Sequence, residues 1–242
     1  MIKDYLKICE NIDDYYDFKF SEDFVLPNVT LVEDEKQLYL NDENSYYNGH
    51  EYIDLGLPSG TLWAKKNVGA EMGSDYGLYF AWGNVEGFTE DSGHAFNEDN
   101  YQVSGYTIGT DEKLPLKYDA AQKYMGGLWH MPTKEQCDEL IDNCDHEILE
   151  KQTRIPTGNT DTLKYIKLTS KINSNNLFMP IGYIENTSFK LGTNCFWTNQ
   201  NSDIDHPYSF AYDKENEKNK LISNNKDVRY HGLQVRGVVD KK

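Results

Sequence analysis

The pattern of apolar and polar positions changes character along the first fifty residues. Residues 1–20 carry apolar side chains at helical spacing with acids on the other face, which predicts an amphipathic helix. Val29–Val32 and Lys36–Leu40 then flank the acidic triplet Glu33–Glu35, a pattern typical of a β-hairpin. The polar stretch Asn41–Gly49 predicts a linker.

The next segment, from Glu51 to Gly69, is the stretch around which we expect the fold to be organised. Tyr52–Leu55 and Thr61–Ala64 read as strands on either side of a Gly-Leu-Pro-Ser-Gly turn. Ser74–Gly83 is aromatic-rich and bounded by glycine, which predicts another strand. Residues 84–117 are polar and predict a long surface loop. Loops of this length inside a compact domain are usually functional or are held in place by local contacts.

Two helices are predicted in the middle of the chain. Asp119–Met125 reads as a short helix stopped by Gly126-Gly127. Thr133 can cap a second helix and form a capping box with Gln136. The apolar residues that follow fall at i, i+3, i+4 and i+7, so one stripe of this helix faces a core: Cys137, Leu140, Ile141 and Cys144.

The rest of the chain returns to short strands separated by turns. The predicted strands are Tyr165–Leu168, Leu177–Met179, Phe196–Thr198, Tyr208–Tyr212 and Leu233–Val239. The order of strands, two helices and then strands favours an α+β fold over a parallel βαβ sheet.

Charge and hydropathy exclude several classes of partner. The formal charge of −16 gives no basic stripe for nucleic acid and no attraction to anionic membrane surfaces. No window approaches about 18 consecutive apolar residues, so a membrane span is not expected. The acidic N-terminus lacks the apolar core of a signal peptide, which argues against ordinary secretion.

The first 48 residues hold half of that charge. They contain twelve acids and four lysines, a net charge of −8. Because one helix and one hairpin cannot build a sizeable core, we expect residues 1–48 to dock on a partner or on copies of themselves, with 49–242 forming the main domain. A solvated acidic arm is the alternative.

The spacing of the cysteines, histidines and acidic residues does not match known catalytic or metal-binding motifs. Four cysteines show no CxxC spacing, and Cys137 and Cys144 lie about 10 Å apart along one helix, too far for a disulfide. The six histidines show no zinc spacing, and Ser59 is explained by its turn. Asn201, Asp203 and Asp205 alternate as oxygen ligands but fit a solvated turn better than a calcium loop. We therefore expect no enzyme, no cofactor and no metal.

Four ordered motifs resemble the major paralogous domain family of fibrolytic gut bacteria. The family is related in fold to C-type lectin domains and formylglycine-generating-enzyme-like domains. The motifs are Ile53–Ala64 with Asn67–Ala70, Asp75–Gly77 with Tyr79–Gly83, Gly126–Thr133, and Phe178–Tyr183, followed by a closing strand at Gly232–Val238. The resemblance implies a C-type-lectin-like fold, with an irregular antiparallel sheet and two helices, and it implies no single activity.

The chain also departs from these relatives. His130 stands where the family motif has Arg, and Lys65-Lys66 stand where a Cys follows the Trp-Ala pair. The calcium-binding tripeptides of sugar-binding lectins are absent, and Cys195 is alone in the C-terminal third, where formylglycine-generating enzymes have a reactive pair. His130, beside Trp129, is expected in the packing scaffold.

The fragment Leu26–Asp34 resembles leaders on virion proteins of gut-bacterial phages. This resemblance implies a phage virion protein, a fibre or capsid-decoration subunit, assembled in the host cytoplasm. Residues 1–48 would attach it to other virion proteins, and the lectin-like domain would bind a host-surface glycan or protein. A homodimer or homotrimer is expected. The alternative is a bacterial surface or interaction protein with no virion role.

Aromatic and amide side chains in the late part of the chain supply the expected ligand surface. In phage relatives of this fold, the corresponding region carries the ligand. The predicted contact residues are Trp197, Asn199, Asn201, His206, Tyr208, Tyr212 and Tyr230. The alternative for Trp197 and Tyr208 is that they are core residues of the sheet.

Overall fold

The structure is a computed structural model that describes residues 45–73, 75–102, 112–154, 160–213 and 220–241. Side chains are described throughout these ranges except in 151–154 and 160–163. The predicted N-terminal helix and β-hairpin, the leader Leu26–Asp34 and the start of the predicted linker lie outside the described residues.

The described elements are short strands with two α-helices between them. The helices are α1 (Ala120–Met125) and α2 (Lys134–Asn143), and single 3₁₀ turns lie at Glu90–Ser92, Glu98–Asn100 and Leu116–Tyr118. The strands are β1 (Tyr46–Tyr47), β2 (His50–Asp54), β3 (Thr61–Asn67), β4 (Cys144–Arg154), β5 (Thr160–Ser170), β6 (Asn176–Pro180), β7 (Tyr183–Glu185), β8 (Ser188–Lys190), β9 (Asn194–Asn201), β10 (Pro207–Asp213), β11 (Lys220–Lys226) and β12 (Arg236–Asp240).

All paired strands are antiparallel, which confirms a mixed α and β fold rather than a parallel βαβ sheet. The strand orders are β1-β2-β3-β12, β11-β10-β9, β4-β5-β6 and β7-β8. The first sheet joins the two ends of the domain, because Val238 and Val239 of β12 lie opposite Trp63 and Leu62 of β3.

The two helices predicted in the middle of the chain are confirmed, and their caps explain why. One detail is corrected: α2 ends at Asn143, and Cys144, which was predicted on this helix, is the first residue of β4. Asp119 accepts a hydrogen bond from the amide of Gln122 and caps α1. The capping box of α2 forms as expected: Thr133 Oγ1 accepts from the amide of Gln136 at 3.2 Å, and the Thr133 amide donates to Gln136 Oε1 at 2.9 Å. The apolar stripe of α2 lies in a core that also contains β5, β6, β9 and β10.

Two sequence-based predictions need correction. Ser74–Gly83 is not a strand; Tyr79 and Phe80 form single bridges to Phe88 and Leu233. The last part of the predicted linker is not a linker, since Tyr46–Tyr47 pairs with β2 through a turn at Asn48 and Gly49, both at positive φ. The hydroxyl of Tyr47 accepts a hydrogen bond from the Leu128 amide at 3.0 Å, which fastens this hairpin to the segment after α1.

Indole groups hold the aromatic segment to β9 in place of a ladder of backbone hydrogen bonds. Trp82 Nε1 donates to the Thr198 carbonyl at 2.8 Å, and Trp197 Nε1 donates to the Phe80 carbonyl at 2.7 Å. These two bonds give each buried indole N–H a hydrogen-bond acceptor. They also hold the aromatic segment in place between β9 and residue 233.

A buried arginine connects several elements of the core. Arg236 is fully buried and donates to Asn67 Oδ1 at 2.7 Å and to the carbonyls of Ala64 (2.9 Å), Gly73 (3.4 Å) and Phe178 (2.8 Å). Burial lowers the pKa of Arg236 to about 9, so the side chain stays charged at pH 7. Its four acceptors compensate for the lost hydration of the cation.

We expect Arg236→Met to lower the free energy of unfolding by about 3–5 kcal/mol, because it leaves buried oxygens without donors. Urea denaturation measures the change. Arg229→Met removes a guanidinium that is 35% exposed and should cost no more than about 1 kcal/mol. Equal losses in the two variants would contradict a structural role for Arg236.

Gly77 provides a second test, because its backbone is both left-handed and closely approached. Its φ is +74°, and a Cβ there would lie 2.3 Å from the Val68 carbonyl oxygen. We expect Gly77→Ala to destabilise the chain by about 3 kcal/mol or more. Gly93 has a matching φ of +73° with nothing within 4 Å, so Gly93→Ala should cost only about 1 kcal/mol. Thermal or urea unfolding measures the loss of stability in each variant. Equal losses in Gly77→Ala and Gly93→Ala would contradict the close approach of Val68 to Gly77.

Candidate ligand-binding surface

Two loops beside β9 and β10 lie next to each other and are joined by backbone hydrogen bonds. The Arg229 amide donates to the Asp205 carbonyl at 3.3 Å, and the Asp227 amide donates to the Pro207 carbonyl at 3.1 Å. We call the result the late-loop surface, which is formed by Ile204, Asp205, His206, Arg229, Tyr230 and His231.

Arg229 is the best-restrained charged group of this surface. Its Nη1 donates to the Ile204 carbonyl at 3.1 Å, and its Nη2 lies 3.4 Å from Asp205 Oδ1. The guanidinium also lies 4.9 Å from the ring centroid of Tyr101, whose hydroxyl donates to the Trp82 carbonyl at 2.8 Å. The side chain nevertheless remains 35% exposed. A cation held over an aromatic ring can therefore meet an anionic or hydroxyl-rich ligand with little loss of side-chain entropy.

His231 is positioned by a buried carboxylate. Its Nδ1 lies 2.7 Å from Asp227 Oδ1, and the Asp227 side chain is only 8% exposed. Asp227 in turn accepts a hydrogen bond from the Asn194 side chain. The imidazole ring lies 5.3 Å from the ring of Tyr183 and 5.4 Å from that of Tyr230, centroid to centroid. The His231 side chain is only 12% exposed, so it offers no more than an edge of its ring at the surface.

The Asp203–His206 turn shapes the other side of the surface. Asp203 Oδ1 accepts from the amides of Asp205 and His206, each at 3.1 Å, and lies 2.7 Å from His206 Nδ1. The hydrogen bond from His206 lowers the pKa of Asp203. The Asn201 side chain accepts a hydrogen bond from the Glu112 amide and donates one to the Asp203 carbonyl, so it stabilises the turn. Among the described residues, no group of His, Cys, Asp and Glu side chains is arranged to hold a metal ion.

Three of the residues predicted from sequence are buried, and their assignment as ligand contacts is corrected. Trp197 is 0% exposed and donates its indole N–H to Phe80, so it is a core residue. Asn199 is 8% exposed and its backbone bonds to Leu114 and Pro132. Asn201 is 0% exposed and holds the turn described above. Strand alternation within β9 does not reveal this burial, because packed segments cover both faces of the strand.

The other predicted residues are at least partly accessible. His206 and Tyr230 belong to the late-loop surface. Tyr208 and Tyr212 lie on β10 opposite Lys226 and Leu221 of β11, and Tyr212 packs against the core beneath α2.

Sequence reasoning missed Arg229, His231, Asp227, Tyr101 and Tyr183 as parts of this region. Tyr101 and Tyr183 lie far from the others in sequence, so no local motif links them to this region. Asp227, Arg229 and His231 lie within five positions, and the Arg-Tyr-His triplet at 229–231 is a local signal that could have found the centre of the surface.

The described cysteines and Ser59 have contacts that explain them as structural residues. Cys137, Cys144 and Cys195 are buried free thiols, and burial raises the pKa of each one, to about 11 for Cys144. Protonated, inaccessible thiols are poor nucleophiles. Ser59 donates from its hydroxyl to Glu139 Oε2 at 2.5 Å and from its amide to Glu139 Oε1 at 2.7 Å. This turn serine therefore joins the β2–β3 turn to α2.

Comparisons with protein-family models, with curated proteins and with solved structures found no match to this chain. Within the described part of the chain, no helix has the length and apolar character needed to cross a membrane.

His130 lies between β12 and the start of α2 and pairs with Val238 through backbone hydrogen bonds. Its Nε2 is 3.6 Å from Asp240 Oδ2, and its Nδ1 is 2.8 Å from the Met131 carbonyl. Burial lowers the pKa of His130, but Asp240, the Met131 carbonyl and Asp119 outweigh burial and raise it overall. His130 in turn lowers the pKa of Asp240.

The raised pKa of His130 contributes stability below its ordinary value of about 6.5, and this contribution is lost as pH rises through the folded-state pKa. The lowered pKa of Asp240 contributes stability above about 3.8, which is lost as pH falls. We therefore expect the stability gap between the native chain and His130→Gln to be larger at about pH 5.5 than at about pH 8.5. Urea unfolding at both pH values measures the gap, and a constant gap would disprove the ion pair.

Proposed function

We propose that this protein is a phage virion structural protein whose main domain is a C-type-lectin-like display domain. The domain binds a glycan or protein on the host surface, and the N-terminal segment that precedes Tyr46 attaches it to other virion proteins. The late-loop surface is the ligand-binding face. The protein acts by binding and not by catalysis.

The observation that carries the binding proposal is the geometry of Arg229, Tyr230 and His231. Arg229 and Tyr230 are half-buried, while the His231 side chain is 12% exposed and supports Tyr230 from beside it. Arg229 is held by Tyr101 and Asp205, and His231 by Asp227. Ile204, at the tip of the adjacent loop, is 50% exposed. A mixture of aromatic, cationic and apolar groups on a rigid support is typical of recognition surfaces, where pre-organisation reduces the entropy lost on binding.

The proposed attachment role of the N-terminal segment rests on its sequence, above all its charge of −8 and its leader-like fragment. Weak binding by single domains would be multiplied by many copies on a particle, and self-association of residues 1–48 in a homodimer or homotrimer would group the domains further. The resemblance to the gut-bacterial family supports the lectin-like part of the proposal. A bacterial surface or interaction protein without a virion role is the alternative.

We expect Arg229→Ala and Tyr230→Ala each to weaken binding of the full chain to host cells by about tenfold or more, as for residues at the centre of an interface. Leu191→Ala is the matched control, since Leu191 is 44% exposed and lies on a different loop. Flow cytometry with labelled protein measures the binding. Unchanged binding by both variants would exclude the late-loop surface as the ligand site.

The virion role has its own test. The protein should be present in purified phage particles, and deletion of residues 1–44 should abolish its incorporation while the remaining chain still folds. The deletion ends at 44 because Tyr47 bonds to Leu128 and belongs to the domain. A protein inventory of the particles and circular dichroism of the shortened chain measure the two outcomes. Absence from the particles would favour the bacterial alternative.

A further inference from the structure

A concave pocket lies beside the β1–β2 hairpin. Its volume is about 380 Å³, within the range of roughly 300–1,000 Å³ that small-molecule sites occupy. Its walls include Tyr46 and Met125, with Glu51 and Lys66 among the charged side chains and Tyr124 on the side of α1.

Two tyrosine rings of this pocket are unusually accessible for a folded domain. Tyr46 is 47% exposed and Tyr124 is 41% exposed, so both offer ring surface to a bound molecule. The Tyr124 ring is fixed edge-on to Phe80 at 5.5 Å, and its hydroxyl accepts a hydrogen bond from the Gly87 amide at 3.2 Å. Aromatic rings suit sugars because they can cover the apolar C–H faces of a pyranose while its hydroxyls stay hydrogen-bonded.

The pocket is held in shape by the hairpin that sequence reasoning assigned to a linker. Tyr47 accepts a hydrogen bond from the Leu128 amide with its hydroxyl, and its carbonyl accepts one from Trp129 Nε1 at 3.1 Å. The Asn48 side chain donates to the Met125 carbonyl. Tyr46 and Tyr124 are thus carried on two segments that are bonded to each other, so little ordering is needed on binding.

One carboxylate, Glu51, and one ammonium, Lys66, line the pocket, and Lys65 lies outside the lining but next to Glu51. Glu51 lies 3.1 Å from Lys65 and 3.3 Å from Lys66, so one carboxylate is shared between two ammonium groups. The hydrogen bond with Lys65 is the main cause of the lowered pKa of Glu51, so this carboxylate is ionised at neutral pH. Burial lowers the pKa of His50, which leaves its ring neutral at pH 7. Glu51, Lys65 and Lys66 together carry two positive charges and one negative charge, in a chain with a formal charge of −16.

We propose that this pocket is a second binding site that accepts a single carboxylated sugar residue, with its ring against Tyr46 and Tyr124 and its carboxylate at Lys66. An ammonium keeps donors for an anionic acceptor while it is paired with Glu51, and the rings supply apolar contact. The site is separate from the late-loop surface, and the proposal does not depend on ligand binding there.

The experiment is a titration of the ¹⁵N-labelled full chain with glucuronate and, in parallel, with glucose, followed by NMR. The amides of Gly49 and Gly69 report on the pocket, and the amide of Gly232 reports on the late-loop surface. We expect saturable shifts of Gly49 and Gly69 with glucuronate, and binding of glucose that is about tenfold weaker because it lacks the charge.

Variants separate the contributions of the ring and the charge. Tyr46→Ala should weaken glucuronate binding by about tenfold. Lys66→Gln should remove the preference for glucuronate over glucose. Leu191→Ala is the control with an equally exposed apolar side chain elsewhere and should bind like the native chain. All three positions are exposed or half-buried, and the dispersion of the amide spectra checks that each variant is folded.

Three results would overturn the proposal. These are the absence of saturable shifts at Gly49 and Gly69, equal affinity of the native chain for glucose and glucuronate, and binding that neither Tyr46→Ala nor Lys66→Gln changes. Glucuronate shifts confined to Gly232 would also overturn the pocket site, while they would support sugar binding at the late-loop surface. Failure of the pocket and failure of the proposed function are therefore distinguishable.

Discussion

The burial of one guanidinium is the constraint on which the rest of the domain depends. Arg236 lies in the last strand, yet its hydrogen bonds reach β3, the loop at Gly73 and β6. Asn67, which accepts one of these bonds, donates from its own amide to the Tyr76 carbonyl at 3.1 Å. Because a buried cation is tolerated only when it is fully hydrogen-bonded, these segments must assemble together around it.

The same principle of polar groups satisfied across the chain explains the aromatic segment at residues 79–83. Three of its five residues are aromatic, but the segment gains its position from indole hydrogen bonds and single bridges to residues 88 and 233. This arrangement leaves the segment free to support Tyr101, and through Tyr101 it supports Arg229 at the proposed ligand face. The core and the late-loop surface are thus connected by a short chain of hydrogen bonds and ring contacts.

The two proposed binding regions differ in their chemistry, and each follows from local structure. The late-loop surface presents a cation and two rings on loops that backbone bonds hold together. The pocket beside β1 presents the accessible rings of Tyr46 on β1 and Tyr124 on α1, together with Lys66 of β3, and the β1–β2 hairpin is bonded to Trp129. A domain with both would contact an extended ligand, or two ligands, without any rearrangement of its core.

The sequence by itself determined the features that depend on neighbouring residues. The capping box at Thr133, the apolar stripe of α2 and the glycine turns around Ser59 follow from local spacing, because caps, turns and periodicity act within a few residues. The preference for a mixed α and β fold over a parallel βαβ sheet came from the order of the predicted elements. The family resemblance and the virion role stay predictions, as does everything expected of residues 1–44.

Only the tertiary structure decided which polar and aromatic side chains are accessible. Trp197 and Tyr230 look alike as candidates in sequence, but β9 is covered on both faces and the loop at 227–232 is not. Tyr46 and Tyr124 are 78 positions apart and meet at one pocket because Tyr47 and Asn48 bond to the end of α1 and the segment after it. Burial depends on contacts between distant segments, and no local pattern of residues contains that information.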